Sequence, residues 1–257
     1  MDMAETMVEP WLYPALAVIA VISGFVDAVA GGGALIAIPA LLYAGVPPLQ
    51  ALGTNKLQSL FGNAAALANF RRAGMLAWRD NRLAVLAALA GGGLGAWAVQ
   101  RIEPGLLKLI IPVLLIGAAL YILISPRMSD DDAQHRLSDR GFAPVSGGIG
   151  LYDGFFGPGA STFFAASLVS LRGFGLTRAT ALTKLLNLGA IAASLAMFAI
   201  GGQVMWLLGL SMAAGCMAGA WLGSHSALKF GARLIRPLLV AISLALTVRL
   251  LWAQFAG

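Results

Sequence analysis

Long apolar runs separated by short polar turns dominate the sequence and predict transmembrane helices. Two of the runs are broken internally by glycine, at Gly31-Gly32-Gly33 and at Gly157-Pro158-Gly159. The remaining six each have about the 20 residues that one helical crossing of the hydrocarbon core requires. Because a β-barrel would alternate apolar and polar residues, we expect an all-α polytopic membrane protein. The predicted segments are 11–43, 48–70, 83–100, 105–125, 143–170, 176–200, 203–224 and 234–253.

The two halves of the chain resemble each other. Three sets of residues recur in one order, 126, 128 and 124 residues apart: Asp27, Gly31 and Gly33 as Asp153, Gly157 and Gly159; Ala51, Lys56 and Leu57 as Ala179, Lys184 and Leu185; Gly91, Gly95 and Trp97 as Gly215, Gly219 and Trp221. Recurrence of this kind indicates an internal repeat. We expect one transmembrane domain over residues 1–257, with repeats 11–125 and 143–253 joined by the polar loop 126–142.

The distribution of basic residues favours inverted repeats. If each glycine-broken run enters the membrane and returns to the same side, the basic residues outside the membrane divide 12 against 3. If each run crosses once, they divide 8 against 7. Cytoplasmic loops carry the excess of Lys and Arg, so the first arrangement is preferred. It predicts two hairpins, six full crossings and both termini on the outside. The ten-residue arm 34–43 reaches only about 15 Å, half of the core.

Composition removes several classes of protein. Hydrophobic residues make up 59% of the chain and charged residues 11%, against about 25% charged residues in soluble domains. Such a chain cannot cover a water-facing surface, which excludes a soluble enzyme, a disordered regulator and a nucleic-acid-binding domain. The net charge of +6 is assigned to cytoplasmic loops. Three acids and no base in the first ten residues argue against a cleavable signal peptide.

The glycine breaks are candidate anion sites. The arms that follow them begin inside the membrane, where free N–H groups and the positive end of the helix dipole favour a negative charge. Ser161 adds a hydroxyl to the second arm. The alternative is that these glycines only permit tight helix crossing. The candidate residues at the breaks are Gly31, Gly32, Gly33, Gly157, Gly159 and Ser161.

Four charged residues lie inside apolar sequence. Asp27 and Asp153 each precede a glycine break by four residues, and Lys56 and Lys184 lie about 12 Å into their helices. A lone charge in lipid costs at least ~2.5 kcal/mol, so these groups must be paired, protonated or hydrated. Two roles stay open for the aspartates, proton coupling and support of the hairpin. The lysines either bind an anion or form Asp–Lys pairs that hold the bundle together.

Polar stripes accompany both lysines. Asn55 and Gln58 border Lys56, and Thr183 and Asn187 border Lys184. Two cations, two helix N-termini and these donors suit a small anion with oxygen atoms. Nothing in the sequence resembles a metal cluster, a nucleophile–base pair or a nucleotide cradle, so we expect no enzyme, no metal and no cofactor.

These residues also resemble a known family. The run GFVDAVAGGGALIAIP over residues 24–39 and Thr54-Asn55-Lys56-Leu57-Gln58 are similar to the sulfite exporter TauE/SafE family of bacterial membrane transporters. The second-half run YDGFFGPG over residues 152–159 is similar to it as well. The resemblance implies a permease of the cytoplasmic membrane for anions such as sulfite, sulfoacetate or related organosulfonates.

Together, the residues and the resemblance predict a secondary transporter that exports a small anion with a proton. Its expected partners are the anion, the proton and the lipid bilayer, without nucleic acid. A passive anion channel is the alternative. The anion, the direction of transport, the coupling ion and the oligomeric state, a homo-oligomer included, stay open.

Overall fold

The computed structural model describes residues 9–76, 79–124 and 137–230, and within these ranges the chain is helical without strands. The α-helices are α1 (Leu12–Ala30), α2 (Ala34–Tyr43), α3 (Pro48–Arg72), α4 (Arg82–Val99), α5 (Pro104–Ile124), α6 (Asp139–Phe155), α7 (Ala160–Arg172), α8 (Leu176–Ile200) and α9 (Trp206–Phe230), with a 3-10 turn at Arg79–Asn81. They follow the predicted segments within six residues, and the largest difference is at the end of α9. The predicted last segment 234–253, most of the joining loop and residues 1–8 lie outside the described residues.

The all-α membrane fold is confirmed for the described part of the chain. Four of its helices, α1, α4, α8 and α9, are long and apolar enough to cross a membrane. Helix α3 has 25 residues, as many as α8 and α9, but its polar stripe lowers its hydropathy. The protein is therefore a multi-pass membrane protein.

Each glycine-broken run folds back on itself. Helix α1 ends at Ala30, and the next residue, Gly31, has a left-handed φ of 78° that favours glycine. The chain then reverses, so that Leu16 and Ala20 from the first half of α1 share a hydrophobic cluster with Leu41 near the end of α2 and Val46 in the loop after it. The two arms consequently form a helical hairpin.

The second break makes a second hairpin. Gly157 and Gly159 have left-handed φ values of 102° and 83°, which bring α7 back along α6. Phe142 near the start of α6 packs in one cluster with Leu168 near the end of α7. The Leu137 N–H donates to Leu171 O across the open end of the hairpin at 3.0 Å.

The loops gather at two ends of the molecule. One end, the Gly45 end, contains the α2–α3 loop with Val46 and the α8–α9 loop with Met205, which share a cluster. The other, the Arg172 end, contains the α3–α4 loop with Leu76 and the α7–α8 loop with Phe174, which share another cluster. The two hairpins therefore open towards different ends.

Basic residues divide unequally between these ends. Among the residues whose side chains the structure describes, the Gly45 end has Arg101. The Arg172 end has Arg71, Arg72, Arg82, Arg140, Arg172, Arg178 and Lys229.

Glycine contacts join each hairpin to a long helix. A Cβ at Gly91 of α4 would overlap the carbonyl oxygen of Gly147 in α6, and one at Gly219 of α9 would overlap that of Val21 in α1. Such backbone approach is available only to small residues. Since Val21 and Gly147 lie 126 residues apart, these two contacts correspond in the two halves.

These contacts correct one of the sequence matches. The sequence paired Gly91 with Gly215, 124 residues on, whereas the contacts pair Gly91 with Gly219, 128 residues on. The two registers differ by four residues, about one helical turn. Glycines spaced by four residues match in either register, so the sequence alone could not distinguish them.

Candidate functional site

The two glycine breaks, residues 31–33 and 157–159, are called hinges below, and the helix ends beside them contact each other. Thr162 Oγ1 at the start of α7 donates to Ala30 O at the end of α1, at 3.2 Å. A Cβ on Gly31 would lie 2.6 Å from Ser161 Cβ, which leaves no room for a side chain between the hinges. Position 31 is thus restricted to glycine both by its left-handed φ and by the second hairpin.

Each hinge is held by a hydrogen bond to a backbone carbonyl. Ser23 Oγ of α1 donates to Gly33 O at 2.8 Å, and the Tyr152 hydroxyl of α6 donates to Pro158 O at 2.7 Å. Because these carbonyls belong to turns inside the apolar part of the protein, the hydroxyls replace the water that is missing there.

Two ion pairs cross between the halves of the chain. Lys56 Nζ of α3 lies 3.0 Å from Asp153 Oδ1 of α6, and Lys184 Nζ of α8 lies 2.7 Å from Asp27 Oδ2 of α1. Each lysine therefore pairs with the aspartate of the other half. The exposed fractions of the side chains are 2% and 4% in the first pair, and 1% and 21% in the second.

Each ammonium group also binds the backbone of its partner. Lys56 Nζ donates to Asp153 O, and Lys184 Nζ donates to Asp27 O. Both carbonyls lie in the last turn before a glycine break, where helix C-termini carry partial negative charge. The lysines thus stabilise the carboxylates and the helix ends together.

Amide and hydroxyl groups surround Asp27 from three helices. Asn63 Nδ2 donates to Asp27 Oδ2 and Ser161 Oγ donates to Asp27 Oδ1, both at 3.4 Å. Asn187 Nδ2 donates to Ser161 Oγ at 2.8 Å. The network connects α1, α3, α7 and α8, so a change in the charge of Asp27 alters hydrogen bonds that join all four helices.

A central cavity lies between the two pairs. It has an empty volume of about 290 Å³ when its open mouth is counted, and its enclosed part admits about one water molecule. The cavity is lined by Asp27, Gly31, Ala34, Asn55, Lys56, Ser59, Asn63, Asp153, Gly157, Ser161, Asn187 and Ile191. A polyatomic anion would fit only after the surrounding helices move apart.

Several buried polar atoms around the cavity have no partner among the described residues. They include Asp153 Oδ2, Asn63 Oδ1, Asn187 Oδ1 and Thr183 Oγ1. Leaving such atoms unsatisfied costs stability, and their clustering is typical of a site that receives a ligand, an ion or water. The amide groups of Asn63 and Asn187 can also rotate, so that they present N–H donors instead of oxygen to a ligand in the cavity.

The structure brings most of the predicted site residues together. Asp27, Gly31, Asn55, Lys56, Asp153, Gly157, Ser161 and Asn187 line the central cavity. Thr183 and Lys184 line an adjoining cavity, to which Asp27, Gly31 and Ser161 also belong. Gly32, Gly33, Gln58 and Gly159 line neither cavity, and Gln58 Nε2 instead donates to Asn55 Oδ1 at 2.9 Å.

Sequence reasoning missed Ser23. A hydroxyl in an apolar helix commonly bonds to a carbonyl of its own helix, and the role of Ser23 becomes visible only once α2 folds back beside α1.

In the described part of the chain, no group of three His, Cys, Asp or Glu side chains could hold a metal ion.

The fold and the site define a class, a polytopic membrane protein with buried ion pairs between its two halves. Residues 16–250 match the family model described as "Sulfite exporter TauE/SafE". The chain is 45% identical over 240 residues to "Probable membrane transporter protein ORF9" of Sinorhizobium sp, which covers 92% of this chain and 91% of that one. It is 41% identical over 247 residues to "Probable membrane transporter protein YfcA" of Escherichia coli K12, covering 96% and 92%.

The chain therefore belongs to the sulfite exporter TauE/SafE family. A third relative, "Probable membrane transporter protein" of Haemophilus influenzae, is 40% identical over 234 residues, covering 91% of this chain and 92% of that one. No solved structure matches the chain. The family and these names indicate a membrane transporter rather than an enzyme, and the resemblance seen in the sequence is confirmed.

Proposed function

We propose that this protein is a secondary transporter of the cytoplasmic membrane that exports a small oxyanion, such as sulfite or an organosulfonate, together with a proton. The observation that carries the proposal is the pair of buried Lys–Asp contacts beside the two hinges. The family name, sulfite exporter, supports the substrate class and the direction.

The mechanism follows from charge balance. Two lysines and two aspartates make the closed site neutral. An anion that binds between the lysines competes with Asp27 and Asp153 for them and leaves one negative charge in excess. Once the anion holds the lysines, a released aspartate would be a negative charge without a partner. Because such a charge is unfavourable in a dry pocket, the released aspartate takes a proton. Anion and proton are then carried together, and an anion made inside the cell leaves down its own gradient.

The proposed topology has inverted repeats, with the Arg172 end in the cytoplasm and both termini outside. The hairpins that open towards different ends support the inversion, and the basic residues at the Arg172 end support the orientation. Broken helices at the interface of inverted repeats are typical of secondary transporters, whose substrates bind near the bilayer midplane.

Flux into proteoliposomes tests the proposal. Purified protein is reconstituted with a pH-sensitive dye inside, and a gradient of sulfite or sulfoacetate is applied. We expect saturable anion flux accompanied by proton movement in the same direction. Anion flux without substrate-driven proton movement would indicate a passive channel, and absence of flux for sulfite, sulfonates and carboxylates would overturn the proposal.

The control for this assay keeps the charge balance of the site. The double variant Lys184→Gln/Asp27→Asn removes one positive and one negative group together, so the net charge of the site is unchanged. We expect it to insert and to be purified like the natural protein, but to move neither anion nor proton.

A further inference from the structure

The two ion pairs have different surroundings. Besides the central cavity, a second cavity adjoins the Asp27–Lys184 pair alone, between the hinge of α1, the first turn of α7 and the first turns of α8. Its polar side chains are Ser161, Thr162, Thr180, Thr183, Asp27 and Lys184. Its enclosed part admits at most about one water molecule, so here too a polyatomic anion fits only after the helices move apart. We name it the Thr183 cavity.

The corresponding positions around the Lys56–Asp153 pair are mostly apolar. In the other half, Ser161 and Thr162 correspond to Leu35 and Ile36, and Thr180 corresponds to Leu52, at the displacements that align the hinges and the lysines. Leu35 and Leu52 are 0% and 1% exposed and share a hydrophobic cluster. The half with hydroxyls thus faces a cavity, whereas its counterpart is packed with leucine.

One residue of the Thr183 cavity points to a ligand. Thr183 is 1% exposed, yet its Oγ1 has no hydrogen-bond partner among the described residues. Hydroxyls of Thr162 and Thr180 already donate to the carbonyls of Ala30 and Leu176. Thr183 is therefore the hydroxyl that remains available. It lines the same cavity as Lys184 and as Ser161 and Thr162, which lie in the first turn of α7.

We propose that the Thr183 cavity is the subsite where the anion first binds, with Lys184 and the Thr183 hydroxyl as its ligands, and that the leucine-packed Lys56 half is the closed side. The inference rests on the proposed function for the identity of the anion. The cavity lies at the α8 end that begins beside Arg172 and Arg178, so the anion approaches from the Arg172 end. Asp27, Gly31 and Ser161 line both this cavity and the central cavity, so the two cavities adjoin.

Cysteine labelling at matched positions tests the inference. Thr180→Cys in the Thr183 cavity and Leu52→Cys in the leucine-packed half occupy corresponding places, and each is made with Cys216→Ala to remove the native thiol. The probe is 2-sulfonatoethyl methanethiosulfonate, a thiol reagent that itself carries a sulfonate. Because modification follows access to the thiol, we expect Thr180→Cys to react at least about tenfold faster than Leu52→Cys.

The outcomes separate this inference from the proposed function. Equal rates, or faster reaction at position 52, would overturn the subsite, whatever anion the protein carries. The reaction at position 180 is repeated with sulfoacetate present: if sulfoacetate does not slow it, the cavity is supported but binding of that anion is contradicted. A second variant, Thr183→Val, keeps the shape of the side chain. We expect it to weaken sulfoacetate binding about five- to tenfold, and unchanged binding would remove Thr183 as a ligand.

Discussion

At the scale of single residues, the crossed ion pairs are the feature with the largest expected energetic effect. Removing one partner of a buried pair typically costs about 3–5 kcal/mol, because the remaining charge has no compensation. Asp153 is 4% exposed and Asp27 is 21% exposed. We therefore predict that Lys56→Gln lowers the free energy of unfolding more than Lys184→Gln does, as measured by denaturant titration in detergent.

The double variants distinguish a structural role from a functional one. Lys56→Gln/Asp153→Asn and Lys184→Gln/Asp27→Asn leave no unpaired charge, so stability should return close to that of the natural protein. If the pairs only hold the bundle together, anion binding returns as well. We expect both double variants to remain unable to bind the anion. The measurement is the thermal shift that sulfoacetate produces in the natural protein, which should be absent from both.

A second prediction at this scale concerns the hinge glycine Gly31. Gly31 and Gly45 have similar left-handed φ values of 78° and 83°, but a Cβ would meet Ser161 at position 31 and nothing within 4 Å at position 45. Gly45→Ala should cost only the left-handed backbone, about 1–2 kcal/mol. Gly31→Ala should cost clearly more and reduce anion flux. Equal unfolding free energies for the two variants would show that the hinges do not touch.

At the scale of helices, the sequence predicted most of the structure. The bounds of α3 and α8 follow from hydropathy, and the hairpins follow from the short arm 34–43 and from loop charge. The sequence did not predict which aspartate pairs with Lys56, and the structure shows that it is Asp153. Within one half, Asp27 and Lys56 are equally available to each other, and only the meeting of the two hinges directs each lysine to the opposite hairpin.

The glycine contacts between helices give a prediction of their own. A Cβ at Gly91 would overlap Gly147 O, whereas one at Gly148 on α6 meets nothing within 4 Å. Gly91→Ala should destabilise the α4–α6 contact by about 1–3 kcal/mol through overpacking. Gly148→Ala should be neutral or stabilising by up to about 1 kcal/mol, since alanine favours a helix. Unfolding in detergent measures both, and a stabilising Gly91→Ala would contradict the close approach.

At the scale of the whole molecule, the inverted topology predicts a pattern of labelling. Gly45, Gly74 and Gly202 share a left-handed backbone and open surroundings, so cysteine should be tolerated equally at the three positions in a Cys216→Ala background. In intact cells, an impermeant thiol reagent should modify Gly45→Cys and Gly202→Cys. Gly74→Cys should react only after permeabilisation. If Gly45→Cys and Gly202→Cys face opposite sides, each broken run crosses the membrane once and the inversion is wrong.

The crossed pairing also has a consequence for how the protein is made. When the first half leaves the ribosome, Asp27 and Lys56 enter the membrane without their final partners, because Asp153 and Lys184 have not yet been synthesised. The first half must then stay in a hydrated part of the insertion machinery, or form a temporary contact between its own two charges, until α8 arrives. Neither half contains a complete set of partners, so release into lipid depends on translation of the second half.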